Sequence, residues 1–199
     1  MSQVERILVL RTSALGDLVL ATSVLEPLRA RFPGAQIEWV TDPPYAPLLE
    51  QLPELSRVHV FRNRSLGGVL ALRRELAGRF DVAIDLQGKL RTRVVMQAAA
   101  PRKLLFRRRT LGQALRALLG SDPPLTRAHA TALYAEVLRP LGIDAPGRMR
   151  LAISDQARAR AEAALAGVGA NAVALAPGAR WATKRWMPER FAEVADALA

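Results

Sequence analysis

The sequence contains no cysteine and only two histidines, His59 and His129, which lie far apart in the chain. Without cysteine, neither a disulfide framework nor a thiolate-bound metal is available to the fold. This composition argues against a zinc enzyme and is typical of a protein from a reducing cytoplasm. We therefore expect no metal site.

Long apolar runs are lacking as well. The run at residues 7–10 is followed by Arg11 and Asp17, so it is shorter than the apolar region of a signal peptide. No stretch approaches the ~20 apolar residues that cross a bilayer. Half of the 199 residues are nevertheless apolar, which is enough for one or two globular domains. We expect a soluble protein that meets a membrane, if at all, from its surface.

Acidic residues are few relative to basic ones, and the formal net charge is +11 with a pI near 11.4. No acidic residue occurs between Asp85 and Asp122. Basic residues in this interval are Lys89, Arg91, Arg93, Arg102, Lys103, Arg107, Arg108, Arg109 and Arg116. Aromatic residues make up only 5% of the chain, too few for a typical base-stacking groove. We favour phosphate or lipid headgroups over nucleic acid as partners, and a solvated arginine-rich surface remains the alternative.

Short apolar runs alternate with longer segments of helical period, a pattern that predicts an α/β fold with a doubly wound parallel sheet. Predicted strands cover residues 6–10, 36–41, 57–61, 82–85 and 103–106. Predicted helices cover residues 17–31, 43–51, 66–79, 90–99, 111–119 and 126–141. These elements form a first domain at residues 1–145.

Residues 146–199 comprise the rest of a linker at about 142–148, which contains Pro146 and Gly147, and a second domain. We expect a helix at 154–166 capped by Ser154, a strand at 172–176 and a helix that begins at Pro188. One strand and two helices do not bury both faces of a parallel sheet. The sequence therefore predicts an incomplete second domain.

A first candidate site is the loop that joins the first strand to the first helix. It carries the hydroxyls of Thr12 and Ser13, the small residue Gly16 and one carboxylate, Asp17. Ligands bind at this edge of open α/β sheets. A purely structural interpretation also stands, in which Asp17 is a first-turn acid that faces the helix dipole.

A second candidate is the loop at residues 177–186, which precedes a predicted helix. Gly178 permits close approach of a ligand, Thr183 offers a hydroxyl, and Lys184 and Arg185 supply charge for an anion such as a diphosphate. The alternative is a basic loop whose two tryptophans fill a domain interface.

These loops lie within segments that closely resemble the ADP-heptose:lipopolysaccharide heptosyltransferases, the members of glycosyltransferase family 9. The similar segments are residues 7–17 (ILVLRTSALGD), 21–29 (ATSVLEPLR), 32–40 (FPGAQIEWV), 81–88 (DVAIDLQG) and 177–186 (PGARWATKRW). They span nearly the whole chain in the order that the family has.

The resemblance implies a GT-B-like fold, in which two Rossmann-like domains face each other across a cleft. It further implies an inverting transfer of heptose from ADP-heptose to a lipid A/core oligosaccharide acceptor, with Asp17 as general base and no metal or cofactor. Implied donor phosphate-binding residues are Gly178, Thr183, Lys184 and Arg185. Implied acceptor-binding residues are Thr12, Ser13, Gly16, Gln87, Lys89 and Arg91.

The resemblance also implies a location in the cytoplasm, at the anionic surface of the inner membrane. Family members normally continue through a complete donor domain, so we expect a truncated chain with little transfer activity alone. Two alternatives remain open at this point. One is a non-catalytic module that binds acceptor or anions, and the other is a transferase of the same family that uses another nucleotide sugar.

Overall fold

The computed structural model describes residues 4–63, 65–106, 129–169, 171–179 and 181–198. The chain forms two compact units, Met1–Ser154 and Asp155–Ala199. In the described part of the first unit, five parallel strands form one sheet in the order β3-β2-β1-β4-β5. The strands are β1 Arg6–Leu10, β2 Gln36–Thr41, β3 Arg57–Val60, β4 Val82–Asp85 and β5 Arg102–Leu105.

Helices cover both faces of this sheet, which is why its central strands are apolar on both sides. The helices are α1 Leu15–Ala21, α2 Leu25–Arg31, α3 Leu66–Leu76, α4 Leu90–Ala99 and α5 Ala130–Leu138. Helices α1, α2 and α5 pack on Ile7 and Trp39, whereas α3 and α4 pack on Leu8 and Val40. The predicted α/β class and Rossmann-like sheet are therefore confirmed.

The strand order reverses at β1, because β2 and β4 flank it on opposite sides. In a doubly wound sheet this reversal opens a crevice at the carboxyl ends of the two strands. The loops after β1 and β4 line that crevice. The fold thus places the first candidate loop at the position where such sheets bind ligands.

The predicted helix at residues 17–31 is wrong as a single element. It is divided into α1, a 3₁₀ turn at Thr22–Val24 and α2. The hydroxyls of Thr22 and Ser23 donate to the carbonyls of Val19 (2.6 Å) and Leu20 (2.7 Å), and such bonds bend helices. Pro27 has no N–H to offer the Ser23 carbonyl, which instead accepts from the Gly147 N–H at 2.8 Å.

Other predicted bounds shift modestly. Two further 3₁₀ segments, Pro43–Leu48 and Arg139–Leu141, replace the predicted helix after Asp42 and the end of the predicted helix at 126–141. The predicted helix at 111–119 lies outside the described residues. None of the described helices combines the length and the apolar character that crossing a membrane requires.

The segment after Gly142 packs on the first unit before the second begins. Backbone N–H groups of Gly147, Arg150 and Ala152 donate to the Ser23 carbonyl (2.8 Å), the Thr22 hydroxyl (2.8 Å) and the Leu48 carbonyl (2.9 Å). The compact units therefore divide after Ser154, later in the chain than the predicted linker.

The second unit contains α6 Asp155–Ala164, a 3₁₀ turn at Ala182–Lys184 and α7 Pro188–Leu198. The predicted helix start at Pro188 is confirmed. The predicted strand at residues 172–176 is wrong, since this segment has no strand structure. A strand needs a hydrogen-bonded neighbour, and the described residues offer this segment none. No described residue from 155 to 198 is buried.

Candidate active site

The candidate site is built on two loops that start side by side. Leu10 of β1 and Asp85 of β4 are register partners at the carboxyl edge of the sheet. The loop at residues 11–14 continues from the first strand into α1, and the loop at 86–89 continues from the second into α4. This register brings the two predicted groups of acceptor residues into contact.

Asp17 lies in the first turn of α1, and its side chain is 43% exposed. Its Oδ2 forms an ion pair with Nη2 of Arg11, whereas no described residue donates a hydrogen bond to Oδ1. The N-cap position is Ala14, and no side chain caps the helix there. Asp17 is thus a first-turn acid, as the structural interpretation has it, and within the described residues its second oxygen accepts no hydrogen bond.

Arg11 is almost fully buried, with a side chain that is 1% exposed. Its Nη1 donates to the Leu86 carbonyl at 2.6 Å, and its guanidinium lies 5.7 Å from the ring centroid of Tyr134. Its backbone carbonyl accepts from Trp39 Nε1 at 3.1 Å. The position of Arg11, the partner of Asp17, is therefore fixed by contacts with three elements: β2, α5 and the loop after β4.

Gln87 joins the two loops. Its side-chain oxygen accepts from the Thr12 N–H (3.0 Å), the Ser13 N–H (3.1 Å) and the Thr12 hydroxyl (3.2 Å). Thr12 is fully buried and Gln87 is 6% exposed. These two predicted acceptor residues form the floor of the site.

Arg91 extends this network to the neighbouring strand. Its Nη2 donates to the Thr12 hydroxyl at 2.7 Å and to Asp42 Oδ2 at 2.9 Å. Its guanidinium lies 5.0 Å from the ring centroid of Phe61. The remaining predicted acceptor residues are more accessible: Ser13 is partly buried, and Gly16 and Lys89 are exposed.

Sequence reasoning gave no role to Asp85, which is fully buried at the end of β4. Its Oδ1 accepts from the N–H groups of Gln87 and Gly88 at 2.9 Å, and its Oδ2 accepts from the Thr92 hydroxyl at 2.9 Å. Burial raises the pKa of this carboxyl above its ordinary value, and the three hydrogen bonds offset this only in part. An acid that ends a buried strand before Leu-Gln-Gly is a signal for such a turn.

Gly88 adopts a φ of 67° in this turn, a conformation that disfavours other residues. A Cβ at this position would lie 3.0 Å from the Phe106 carbonyl oxygen. Both constraints require glycine. Asp85 and Gly88 together shape the loop that presents Gln87.

The second candidate loop belongs to the second unit. Thr183 and Lys184 lie in the 3₁₀ turn, and Arg185 follows it with its Nε 2.8 Å from the Ala179 carbonyl. Gly178, Thr183, Lys184 and Arg185 are all exposed. Trp186 packs edge-to-face on Phe191 at 5.2 Å but stays 50% exposed. The loop thus presents two cations and a hydroxyl at its surface.

Within the described residues, no group of three or more histidine, aspartate or glutamate side chains is arranged so that it could hold a metal ion.

The chain is similar to known proteins along most of its length. Residues 69–199 match the profile of Glycosyltransferase family 9 (heptosyltransferase). Lipopolysaccharide heptosyltransferase 3 of Escherichia coli is 27% identical over 203 residues, which cover 92% of this chain and 57% of the relative. The same enzyme from strain K12 is 26% identical with the same coverage. The chain thus spans somewhat more than half the length of these curated relatives.

Solved structures agree in fold. The family 9 glycosyl transferase of Veillonella parvula superposes with a TM-score of 0.73 at 26% identity, covering 97% of this chain and 59% of that one. The E. coli ADP-heptose lipopolysaccharide heptosyltransferase II has a TM-score of 0.65 at 23% identity, with coverages of 97% and 61%. The first unit and its crevice therefore correspond to one Rossmann-like domain of a GT-B-like α/β protein. The chain belongs to glycosyltransferase family 9.

Proposed function

We propose that the protein transfers heptose from ADP-heptose to a lipopolysaccharide inner-core acceptor with inversion, and that Asp17 is the general base. Family membership and the names of the relatives support the reaction class. The observation that carries the proposal is the Asp17 carboxylate, which lies at the sheet's switch point with one oxygen paired to Arg11 and the other without a donor among the described residues.

Gly16 supports this assignment because it leaves room beside the carboxylate. A Cβ on Gly16 would meet no described atom within 4 Å, and its φ is not in the left-handed region. Glycine within a helix costs up to about 1 kcal/mol relative to alanine. Among the described residues, neither backbone conformation nor packing requires glycine here, and we assign the open space beside it to a bound sugar.

In the proposed reaction, the acceptor hydroxyl gives its proton to Asp17 Oδ1 as its oxygen attacks the anomeric carbon of the heptose. The new bond forms on the face opposite the leaving group, which inverts the anomeric centre. The bond from that carbon to the β-phosphate oxygen breaks, and its electron pair leaves with ADP. The products are the extended acceptor, ADP and protonated Asp17, which then releases its proton to solvent.

The donor diphosphate is assigned to the exposed loop of the second unit. Thr183, Lys184 and Arg185 place a hydroxyl and two cations together, and Gly178 permits close approach. These groups can stabilise the negative charge that develops on ADP. We assign this stabilisation to protein cations, with no resident metal and no cofactor.

The acceptor is assigned to the crevice of the first unit. The six predicted acceptor-binding residues divide into two groups. The accessible ones are Ser13, Gly16 and Lys89. The other three support them from below and are Thr12, Gln87 and Arg91. A lipid-linked acceptor places the protein at the anionic cytoplasmic surface of the inner membrane, which the net charge of +11 favours. The chain spans 57% of its curated relatives, and the transfer activity of the whole protein is part of this proposal.

The test is a transfer assay with the purified protein. ADP-heptose and a heptose-deficient lipid A/core acceptor are supplied, ADP release is measured, and NMR gives the anomeric configuration of the product. We expect inversion, a preference for ADP-heptose over ADP-glucose, and no change with EDTA. Tight acceptor binding without ADP release would favour the non-catalytic module, and faster release from ADP-glucose would favour a different donor.

A further inference from the structure

Arg11 places a guanidinium inside the protein, at the end of β1, where its side chain is 1% exposed. A buried charge costs a large free energy unless it is paired and hydrogen-bonded. Among the described residues, the carboxylate that pairs with Arg11 is that of Asp17. This pair therefore joins a fully buried cation to a carboxylate that is 43% exposed.

The two partners differ in how firmly the rest of the protein holds them. The Arg11 guanidinium is fixed by the Leu86 carbonyl at 2.6 Å and by the Tyr134 ring at 5.7 Å. The Asp17 side chain makes no further contact of this kind among the described residues, and it lies on the surface of the first turn of α1. The direction of the carboxylate is thus set by the guanidinium.

We propose that Arg11 is a positioning residue that holds Oδ2 of Asp17 and thereby aims Oδ1 at the acceptor hydroxyl. Arg11 does not touch substrate, because it is buried beneath the loop. The proposal rests on the proposed function of Asp17 as base. It adds that the buried guanidinium contributes to kcat through the geometry of that carboxylate.

The chemistry of arginine suits this role. A planar guanidinium offers two Nη groups at fixed angles, so one can bind the Leu86 carbonyl while the other binds Asp17. A lysine ammonium is a single point on a flexible stem and does not fix both directions. Misplacing a catalytic group by about 1 Å costs about 10²-fold in rate.

The kinetic test is a double-mutant cycle in the protein at its full encoded length, with Arg11→Met, Arg11→Lys, Asp17→Asn and the paired combinations. We expect R11M to lower kcat about 10²-fold with little change in KM, and R11K to recover part of that loss. In the D17N background, R11M should cause no further loss, since no general base remains to be positioned.

Arg29→Met is the matched control. Arg29 also binds carbonyl groups, those of Pro33, Ala35 and Glu54, but it lies outside the site. R29M is expected to lower stability without the change in kcat. Equal losses from R11M in the wild-type and D17N backgrounds would overturn the positioning role and leave a structural one.

A spectroscopic measurement decides the same question if R11M fails to fold. In wild type, NMR should show slow rotation of the Arg11 guanidinium, and D17N should speed that rotation while Tm is maintained. Unchanged rotation in D17N would overturn the proposal. If D17N leaves transfer intact, the proposed function of Asp17 as general base fails. If R11M retains full kcat while D17N does not, only the positioning role of Arg11 fails.

Discussion

The side-chain oxygen of Gln87 accepts two hydrogen bonds from Thr12, one from its backbone N–H at 3.0 Å and one from its hydroxyl at 3.2 Å. With a third bond from the Ser13 N–H at 3.1 Å, one amide oxygen organises the loop that leads to Asp17. The shape of the candidate site therefore depends on Gln87, which belongs to the loop after β4. This residue lies beneath the crevice and is 6% exposed.

Gln87→Leu should destabilise the first unit. The leucine leaves the N–H groups of Thr12 and Ser13 without their acceptor, and each unsatisfied buried group costs about 1–3 kcal/mol. We expect a loss of about 2–4 kcal/mol in the free energy of unfolding, measured in urea. Gln87→Glu, which still accepts these bonds, is the control and should lose less. Equal stability of the two variants would refute the role of this oxygen.

Gly16→Ala should separate stability from activity. Alanine fits without contact to any described atom and favours the helix by up to about 1 kcal/mol, so Tm should stay the same or rise. The added methyl group fills space proposed for the acceptor, so KM for acceptor should increase. The matched control is Gly67→Ala, because Gly67 is also the second residue of its helix and its Cβ would make only a 3.7 Å contact. If G16A and G67A have the same acceptor KM, the proposed space is not used.

Asp85→Asn should change how stability depends on pH. Burial raises the pKa of Asp85 in the folded protein, so the folded state binds the proton more tightly than the unfolded state. Its contribution to the free energy of unfolding therefore falls as the pH rises from the ordinary value of 3.8 through the folded pKa.

Asparagine keeps the bonds from Gln87 and Gly88 and donates to Thr92, but it does not titrate. The stability of D85N relative to wild type should thus improve as the pH rises from 3.8 through the raised folded pKa, where the carboxyl of the wild type loses its proton. Urea unfolding across this range measures the difference. A difference that stays constant with pH would contradict the raised pKa of Asp85.

Glu38→Gln should show the opposite trend. Burial acts to raise the pKa of Glu38, but hydrogen bonds and charges from His59 and Arg6 outweigh it, and the pKa lies below its ordinary value of 4.5. The Nε2 of His59 lies 2.5 Å from Glu38 Oε2, and Arg6 Nη2 lies 2.8 Å from Oε1. The carboxylate therefore stabilises the fold above its unfolded pKa, and this contribution is lost as the pH falls through the folded pKa.

E38Q should lose about 1.5–3 kcal/mol at neutral pH, the worth of hydrogen bonds to a charged group. The loss should shrink as the pH falls from the ordinary value of 4.5 through the lowered folded pKa, where the carboxyl of the wild type takes up its proton. Glu5→Gln, at an exposed position, serves as the control and should change little. A loss from E38Q that grows in acid would reverse the assigned direction.

The periodicity of the sequence predicted the sheet well, because β1 and β4 are short, mainly apolar runs of the kind that a doubly covered parallel sheet buries. The break between α1 and α2 was missed, since the apolar residues keep their helical spacing through it. The break is produced by the hydroxyls of Thr22 and Ser23 and by Pro27, which act on backbone hydrogen bonds. The strand predicted at 172–176 has suitable residues, but the described part of the chain offers it no neighbouring strand with which to pair.

For the candidate site, the sequence and its resemblance singled out Asp17, the loop around it and Gln87, but gave no role to Arg11 or Asp85. Arg11 was noted only as a charge that interrupts an apolar run, and Asp85 only as the end of a strand. The role of Arg11 depends on a contact with Leu86, 75 positions away in the chain. Spacing within a single loop carries no information about such contacts.

The central claim is that the carboxylate of Asp17 accepts the proton of the attacking hydroxyl. The most direct measurement is kcat for heptose transfer by wild type and Asp17→Asn, with both proteins shown to have the same Tm and the same affinity for acceptor. We predict a fall in kcat of about 10²- to 10⁴-fold, because the amide keeps the shape of the side chain and cannot take up the proton. A D17N protein that turns over within about twofold of wild type, far less than loss of a general base causes, would contradict the mechanism.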